Sequence, residues 1–321
     1  MKVNSNLKLL VILIIAVLLI AGCSNEKNTA QEPETQKLKI GALPIEDILP
    51  IVVADKSGYF AEENLEVELV PFQSAVESES AMQSGQLDGM VTDIIVATLL
   101  RDSGFDTRIT SITLGASPQE GRFAIVAAPE SNIETISDLK GKSIAISNNS
   151  IIEYVTDGLL KEADIEPSQV NKTAVAKIPV RLEMLLNNKI DTATLPDPLV
   201  TFAEFKGAKI IAEDTKKNLS QAVIIMTEKA LEAKKEAIKG FYRAYAKAVN
   251  DINAAPEEFR EILVENINIP KPIVDIYSIQ HYPKPQLPQE KDINNVLDWL
   301  NKKELLKNNL KYEELVQDNL Y

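Results

Sequence analysis

The sequence is poor in the residue types that carry redox and metal chemistry. It contains one cysteine, Cys23, and one histidine, His281, among 321 residues. A single cysteine excludes both an internal disulfide and a cysteine-based metal site. Aromatic residues make up only 5% of the chain, which disfavours a binding site that stacks a flat ring between aromatic side chains. The composition therefore argues against a disulfide-stabilised or zinc-dependent protein.

Long apolar segments are also scarce. The one pronounced run covers residues 9–21, and Lys2 and Lys8 precede it. A helix that crosses a bilayer of about 30 Å needs about 20 apolar residues, so this run is too short to span. A weakly basic start followed by a short apolar run is typical of a secretory signal. We therefore predict a signal peptide over residues 1–22.

The end of this run resembles the lipobox of bacterial lipoproteins. Ala21-Gly22 stands directly before Cys23. The resemblance implies cleavage before Cys23, lipidation of that residue, and attachment to the extracytoplasmic face of the cell membrane through acyl chains alone. A buried core thiol is the alternative, but the Glu-, Gln-, Thr- and Asn-rich segment that follows is typical of a flexible spacer. We expect a tether over residues 23–37 and a fold that begins near Leu38.

The charge balance is strongly acidic. Asp and Glu number 47 against 34 Lys and Arg, a net charge of −13. Removing residues 1–22 takes away Lys2 and Lys8 and no acid, so the mature chain carries −13 − 2 = −15. Such a body repels phosphate backbones, and we expect no nucleic-acid partner. An anionic ligand is still possible, because a local pocket can oppose the overall field.

Short strands and helices alternate along the rest of the chain. The predicted strands cover residues 38–43, 66–71, 88–92, 109–114, 123–128, 143–147, 173–176, 191–195, 209–212 and 222–226. The predicted helices cover residues 48–57, 75–84, 93–102, 149–162, 180–188, 199–206, 228–253, 256–264, 270–279 and 293–302. This alternation indicates an α/β fold built from βα units around mixed or mostly parallel sheets.

Several short motifs occur in a characteristic order. They are Gly58-Tyr59-Phe60-Ala61-Glu62-Glu63, Ser84-Gly85-Gln86-Leu87-Asp88-Gly89, Asp138-Leu139-Lys140-Gly141-Lys142, Ile178-Pro179-Val180-Arg181, Asp191-Thr192-Ala193 and Leu195-Pro196-Asp197-Pro198. In this order they resemble type 2 periplasmic binding proteins, in particular the substrate-binding lipoproteins of ABC importers for sulfonates, nitrate and thiamine-precursor pyrimidines. Each motif also has a structural interpretation, since the glycines suit helix ends and turns.

The resemblance implies a two-lobed α/β fold with two crossings between the lobes. One lobe would hold residues 38–122 and 222–321, and the other residues 123–221. A small-molecule solute would bind in the cleft without a cofactor, and the protein would deliver it to an ABC permease and its ATPase. We expect a monomer.

Candidate ligand residues lie where strands lead into helices, because ligands of open α/β sheets bind beyond the carboxyl ends of the strands. Helix N-termini at these points suit an anion. The candidates are Pro44, Glu46, Asp47, Gln73, Ser74, Thr92, Asp93, Ser147, Asn148, Asn149, Ser150 and Asp197. The cluster Ser147–Ser150 is the strongest of these. The alternative for each is ordinary helix capping, and an aspartate in the cleft would favour a ligand with an amino group.

Arg122 and Arg181 are the cationic candidates. Either could hold a carboxylate or sulfonate through its guanidinium fork. The more common role of an arginine such as Arg122 is a salt bridge between lobes or a place at a solvated edge, and Arg181 could instead pair with Glu183 or an acid in the cleft.

Three functions follow from these observations. The leading one is a receptor for a small polar, anionic organosulfur solute, with a pyrimidine or vitamin precursor as the alternative ligand. A lipoprotein that presents its ligand to a sensor is a second class. A branch of the resembled fold makes a thiamine pyrimidine with histidine chemistry, but a lone His281 does not support catalysis, and we expect no enzyme.

Overall fold

The computed structural model describes residues 35–267 and 269–321. The predicted signal peptide and the lipidation site Cys23 lie outside these residues. The described chain contains ten strands, which we number in chain order: β1 Gln36–Ala42, β2 Leu65–Pro71, β3 Gly89–Asp93, β4 Thr107–Leu114, β5 Phe123–Ala127, β6 Ser143–Ile146, β7 Asn171–Ala174, β8 Thr192–Pro196, β9 Lys209–Glu213 and β10 Ala222–Thr227. β1 thus begins before Leu38, within the segment expected to be a tether.

The helices of the described residues are α1 Leu49–Lys56, α2 Tyr59–Glu62, α3 Ala75–Gln83, α4 Ile94–Asp102, α5 Ile151–Glu162, α6 Ile178–Leu186, α7 Leu199–Phe205, α8 Glu228–Ala233, α9 Lys235–Ala254, α10 Arg260–Asn266, α11 Glu290–Lys302 and α12 Tyr312–Leu315. Single 3₁₀ turns cover Glu46–Ile48, Ile136–Leu139, Pro167–Gln169, Pro256–Phe259 and Lys271–Ile273.

The strands form two mixed sheets of five strands each. The first has the order β2-β1-β3-β10-β4, and the second β7-β6-β8-β5-β9. In the first sheet β1 is parallel to β2 and β3, whereas β10 is antiparallel to both of its neighbours. In the second sheet β6 is parallel to β7 and β8, and β5 is antiparallel to β8 and β9. The predicted two-sheet α/β fold is confirmed.

The chain passes between the sheets twice. It leaves the first sheet at Leu114 and enters the second at Phe123, then leaves the second at Glu213 and re-enters the first at Ala222. The central strand β10 therefore joins the first sheet only after the whole second sheet. This connectivity supports the division into lobes 38–122 plus 222–321 and 123–221, which stays our proposal.

The motif that begins at Gly58 is part of the scaffold of the first sheet. Gly58 has φ 77°, a left-handed conformation that favours glycine. It lets α2 turn so that the Phe60 ring stacks on Phe241 of α9, with ring centroids 5.4 Å apart. Glu63 of the same motif pairs with Arg243, with Oε2 and Nη2 2.6 Å apart. These contacts fix α9 across the sheet.

The C-terminal part differs most from the predicted elements. The helix predicted over residues 228–253 is two helices, because Lys234, with φ −128° and ψ 29°, departs from helical geometry and ends α8. The Lys234 side chain forms a salt bridge with Asp88, with Nζ 2.8 Å from Oδ2. The two short helices α2 and α12 are too brief to leave a periodic signal in the sequence.

The prediction of a helix over residues 270–279 is wrong. A single 3₁₀ turn, Lys271–Ile273, replaces it. The Arg260 guanidinium binds the carbonyl oxygen of Tyr277 at 2.8 Å and also that of Val274. These two carbonyl groups therefore accept hydrogen bonds from a side chain and not from the main-chain N–H groups of a helix.

A polar contact joins the two sheets through helices α5 and α11. The indole Nε1 of Trp299 donates to Asp157 Oδ2 at 3.0 Å, and Lys303 Nζ lies 2.5 Å from Glu153 Oε1. Lys172 Nζ binds the same two carboxylates, at 2.8 Å from Glu153 and 2.5 Å from Asp157. We call these five residues the α5–α11 contact. It places two buried carboxylates between two ammonium groups.

Removing one of these ammonium groups should destabilise the protein. In Lys303→Met the apolar stem is kept, but Glu153 and Asp157 are left with Lys172 alone. We expect the free energy of unfolding to fall by about 1–3 kcal/mol, because a buried carboxylate loses a charged partner. Urea unfolding followed by circular dichroism measures this change. The neighbouring exposed Lys302→Met is the matched control, and equal stability of the two variants would contradict the assignment.

Candidate ligand-binding site

Two cavities lie side by side between the sheets. The inner cavity has a volume of about 60 Å³, and the outer cavity has a volume of about 530 Å³. They share Leu43, Ile45 and Ile178 as wall residues. Small-molecule sites commonly measure about 300–1,000 Å³, so the outer cavity is of ligand size and the inner one has room for a head group.

The inner cavity is lined by the ends of strands and the starts of helices from both sheets. Its residues are Leu43, Ile45, Asp47, Ala75, Val91, Thr92, Asp93, Phe123, Ser147, Ser150, Ile151, Ile152, Ala176, Ile178, Pro196 and Ala222. Five of the residues proposed from the sequence thus meet here: Asp47, Thr92, Asp93, Ser147 and Ser150. Their position beyond the strand ends is the one expected for open α/β sheets.

Asp93 connects the two sheets at this cavity. It ends β3, and its Oδ1 accepts a hydrogen bond from the main-chain N–H of Val96 at 2.8 Å. Its Oδ2 accepts from the N–H of Ile151, the first residue of α5, at 3.0 Å. One carboxylate thus caps a helix in each half of the protein. Burial raises the pKa of Asp93 to about 6, although these hydrogen bonds oppose the rise.

Asp47 is the second carboxylate of the inner cavity. It lies in the 3₁₀ turn Glu46–Ile48 and is 7% exposed. Among the described residues its Oδ1 atom has no hydrogen-bond partner. Burial raises its pKa to about 7.

The loop from Ser147 to Ser150 contributes its two serines to the cavity. Ser147 and Ser150 are buried, and the Ser150 hydroxyl donates to the Ser147 carbonyl at 2.9 Å. Asn148 and Asn149 are exposed and do not line either cavity. Asn149 has φ 54°, and its N–H donates to Glu153 Oε2 at 2.8 Å. The asparagines shape the loop, and their contact with a ligand stays a prediction.

Pro44 and Gln73 belong to the outer cavity. This cavity is mostly apolar, with Leu43, Pro44, Ile45, Pro71, Phe72, Gln73, Ile178, Pro179, Leu182, Pro198, Leu199, Ile267 and Pro270 as its lining. The Gln73 carbonyl accepts from Ile178 N at 3.3 Å across the cleft. Ser74 is buried and caps α3, where its Oγ accepts from Glu77 N at 3.3 Å.

Both arginines make their contacts within the protein and lie outside the two cavity linings. Arg122 binds Glu213 and Glu204, each at 2.8 Å, from the first crossing between the sheets. Arg181 is fully buried and donates to the carbonyls of Thr194 at 2.9 Å and Val175 at 2.7 Å. Burial lowers the pKa of Arg181 to about 10. A ligand contact by either arginine stays a prediction.

A group of buried acids lies beside the crossings rather than in the cavities. Tyr277 donates its hydroxyl to the Glu46 carboxyl group, and Tyr282 donates to the Glu46 carbonyl at 2.8 Å. Burial, together with the charge of Asp197, raises the pKa of Glu46 to about 8. Asp197 accepts from the N–H and hydroxyl of Thr201, both at 2.8 Å, and burial raises its pKa as well.

Tyr277 and Tyr282 were missed by the sequence analysis. Residues 270–279 have an apolar pattern that favours a helix, so Tyr277 was placed on a helix face and not against the first strand-to-helix turn. No local signal in the sequence couples these tyrosines to Glu46, because the partners are more than 200 positions apart.

The inner cavity is bordered by two acidic residues, Asp47 and Asp93, and within the described part of the chain the lining of the outer cavity contains no charged residue. Across residues 35–267 and 269–321, no lysine, arginine or histidine lines either cavity. In the same ranges, no three His, Cys, Asp or Glu side chains are grouped so that they could hold a metal ion. Nor does any helix there have the length and apolarity to cross a membrane.

The protonated state of Glu46 predicts a pH dependence of stability. Because its pKa is about 8 in the folded protein against an ordinary 4.5, the folded state holds a proton that the unfolded state loses between these values. The stabilising contribution of this proton is therefore complete below about pH 4.5 and is lost as the pH rises through 8. In Glu46→Gln, which keeps a carbonyl acceptor for Tyr277, the fall in stability between pH 5 and pH 8 should be smaller.

We expect the difference between the two proteins to reach about 1 kcal/mol or more, since one pKa unit corresponds to about 1.4 kcal/mol. Urea midpoints at the two pH values measure it. The exposed Glu265→Gln is the control. An unchanged pH slope in Glu46→Gln would show that Glu46 is ionised throughout.

Comparisons with known proteins agree with this architecture. A curated relative from Bacillus subtilis (strain 168), named for binding aliphatic sulfonates, is 22% identical over 75% of this chain and 72% of its own. The alkanesulfonate-binding protein SsuA from Xanthomonas axonopodis pv. citri, solved with MOPS, superposes with a TM-score of 0.76 at 16% identity, covering 89% of this chain and 99% of that one. These findings confirm the resemblance to periplasmic binding proteins of ABC importers.

One structural neighbour is an enzyme. The desulfurization enzyme DSZB matches with a TM-score of 0.66 at 14% identity, covering 89% of this chain and 97% of that chain. The fold alone therefore does not separate binding from catalysis. The family model described as NMT1/THI5 like matches residues 45–259. As this match takes in most of the chain, the protein belongs to the NMT1/THI5-like family.

Proposed function

We propose that the protein is an extracytoplasmic receptor that captures a small organosulfur anion and delivers it to an ABC permease. The observation that carries the proposal is the pair of adjoining cavities, a small one bordered by Thr92, Ser147 and Ser150 and a large one bordered mostly by apolar side chains. Their shapes fit a solute with a compact polar head and an aliphatic tail. The naming of the Bacillus subtilis relative for aliphatic sulfonates supports the same ligand class.

The head group would lie at the start of α5. Ser147 and Ser150 supply hydroxyl groups there, and the positive end of the α5 dipole favours an anion. The aliphatic tail would extend along Phe72, Leu182 and Leu199 in the outer cavity. The tail would contribute to the free energy of binding by removing apolar surface from water, at about 25 cal/mol per Å².

Binding without a chemical step is the second part of the proposal. His281 is 67% exposed in its side chain and lies outside both cavity linings. Its nearest acidic partner is Glu120, at 3.8 Å from Nδ1. A nucleophile, base and orienting group in contact with each other are therefore lacking at the cavities within the described residues, which supports a receptor rather than an enzyme.

The contact between Ser150 and the head group can be tested with heptane-1-sulfonate. Ser150→Ala should weaken binding of this probe by about tenfold or more, because in the complex the single Ser150 O–H would turn from the Ser147 carbonyl to the sulfonate, and a hydrogen bond to a charged group contributes about 1.5–3 kcal/mol. Isothermal titration calorimetry measures the affinity.

Ser103→Ala is the matched control for this experiment. The Ser103 hydroxyl makes the same kind of hydrogen bond, to the carbonyl three residues earlier, but on an exposed helix end. An equal affinity of Ser150→Ala and the unchanged protein would remove the α5 start from the binding site.

The lipid anchor is a separate part of the proposal and rests on Ala21-Gly22-Cys23. Cys23→Ser should move the full-length protein from the membrane fraction to the soluble fraction, because the thiol that accepts the acyl chains is lost. Fractionation of cells followed by immunoblotting measures this, with Ser24→Ala as the control. Retention of Cys23→Ser in the membrane after signal-peptide removal would contradict the anchor.

A further inference from the structure

The α5–α11 contact joins two helices that pack on different sheets. Helix α11 packs on the first sheet, where Val296 shares a buried cluster with Val223 of β10. Helix α5 packs on the second sheet, where Val155 shares a cluster with Ile144 of β6. The contact therefore bridges two cores, and a movement of one sheet away from the other would break it.

Polar and aromatic interactions both cross from α11 to α5. The Trp299 indole donates to Asp157, and its ring meets the Tyr154 ring edge-on, with centroids 5.4 Å apart and an interplanar angle of 82°. Lys303 Nζ pairs with Glu153 and lies 4.6 Å from the centroid of the Trp299 ring. Because Glu153 is only 4% exposed, salt and water screen this ion pair less than a surface pair.

Glu153 also holds the loop that carries the two serines of the inner cavity. Its Oε2 accepts a hydrogen bond from the N–H of Asn149, which has φ 54° and lies between Ser147 and Ser150. Burial by itself would raise the pKa of Glu153, but the two lysines and this N–H hold the pKa below its ordinary value. One ionised carboxylate thus connects Lys303 with the loop at the cavity.

The α5–α11 contact leaves the ligand's space free. None of its five residues lines the inner or the outer cavity. Asp93, by contrast, joins the sheets through the N–H of Ile151, a cavity residue at the helix end that the proposed anion would occupy. The α5–α11 contact can therefore stay intact while a solute is bound.

Resting on the proposed function, we infer that Lys303 and Trp299 are positioning residues for ligand binding. Without touching the solute, they hold the start of α5 against the first sheet, so that Thr92 on one wall and Ser150 on the other face the same solute. When the contact is broken, the two walls are close in a smaller fraction of the molecules. The apparent affinity falls in proportion to that fraction.

Two lysines that bind the same carboxylate provide a matched test. Lys303 reaches Glu153 Oε1 from the end of α11, whereas Lys172 of β7 reaches it from the second sheet itself, at 2.8 Å. Lys303→Met and Lys172→Met each remove one ammonium group from Glu153, but only the first breaks a bond between the sheets.

Lys303→Met should weaken the binding of heptane-1-sulfonate about fivefold or more, as is typical of coupling between separate sites. Lys172→Met should change the affinity by less than about twofold, because it does not favour separation of the sheets. Isothermal titration calorimetry measures both affinities, and circular dichroism verifies that both variants are folded.

Trp299→Phe tests the contact without changing a charge. It keeps an aromatic ring beside Tyr154 and removes the N–H that donates to Asp157. Binding of heptane-1-sulfonate should weaken in this variant too. An affinity equal to that of the unchanged protein would remove Trp299 from the inference.

Small-angle X-ray scattering provides a measurement that needs no ligand. The ligand-free Lys303→Met protein should have a larger radius of gyration than the unchanged protein, because its two sheets move apart more readily. The ligand-free Lys172→Met protein should match the unchanged protein.

The outcomes separate this inference from the proposed function. If heptane-1-sulfonate binds the unchanged protein, an unaltered affinity in Lys303→Met, or an equal loss in Lys172→Met, would overturn the inference and leave a sulfonate receptor. If the probe does not bind, the organosulfur ligand is overturned and scattering decides the inference. A larger radius of gyration in Lys303→Met alone would then support it, and equal radii would overturn it.

Discussion

The arrangement of the site depends on one buried carboxylate, that of Asp93. Strand β3 ends at this residue, and its two oxygens cap α4 of the first sheet and α5 of the second. The first N–H groups of a helix have no partner within the helix, so each needs an acceptor. Because one side chain meets this need for both helices, the start of α5 is held against the end of β3. The inner cavity is the space that this contact leaves between them.

An anionic ligand and the Asp93 carboxyl group would compete for the same helix end. The positive end of α5, which would attract a sulfonate, already holds the Asp93 carboxyl group in the structure. Burial raises the pKa of Asp93 to about 6, so this carboxyl group binds a proton more readily than an exposed aspartate does. An anion at this helix end would therefore meet the least repulsion when Asp93 is protonated.

The sequence predicts the fold, and which residues border the inner cavity, better than it predicts the side-chain contacts there. Strand-end positions placed Asp93, Ser147 and Ser150 correctly near one another, because alternating βα units bring the carboxyl ends of strands together. The sequence predicts side-chain contacts less well. It shows that Asn149 and Arg181 are polar, but tertiary packing decides that Asn149 is exposed and Arg181 is completely buried. The tyrosines that contact Glu46 were missed because their contact joins distant parts of the chain.

Helix α5 carries both a wall of the inner cavity and the contact that joins the sheets. Ser150, Ile151 and Ile152 at its start line the inner cavity. In the same first turn Glu153 contacts Lys303, and about one turn further on Asp157 contacts Trp299. Because both features lie on one helix, a solute that bound at the start of α5 would act on the same element that forms the α5–α11 contact. A ligand shifts an equilibrium only through its different affinities for the two states. A solute that touched Thr92 on the first-sheet side and Ser150 on the second-sheet side would therefore favour the state in which these two walls are close.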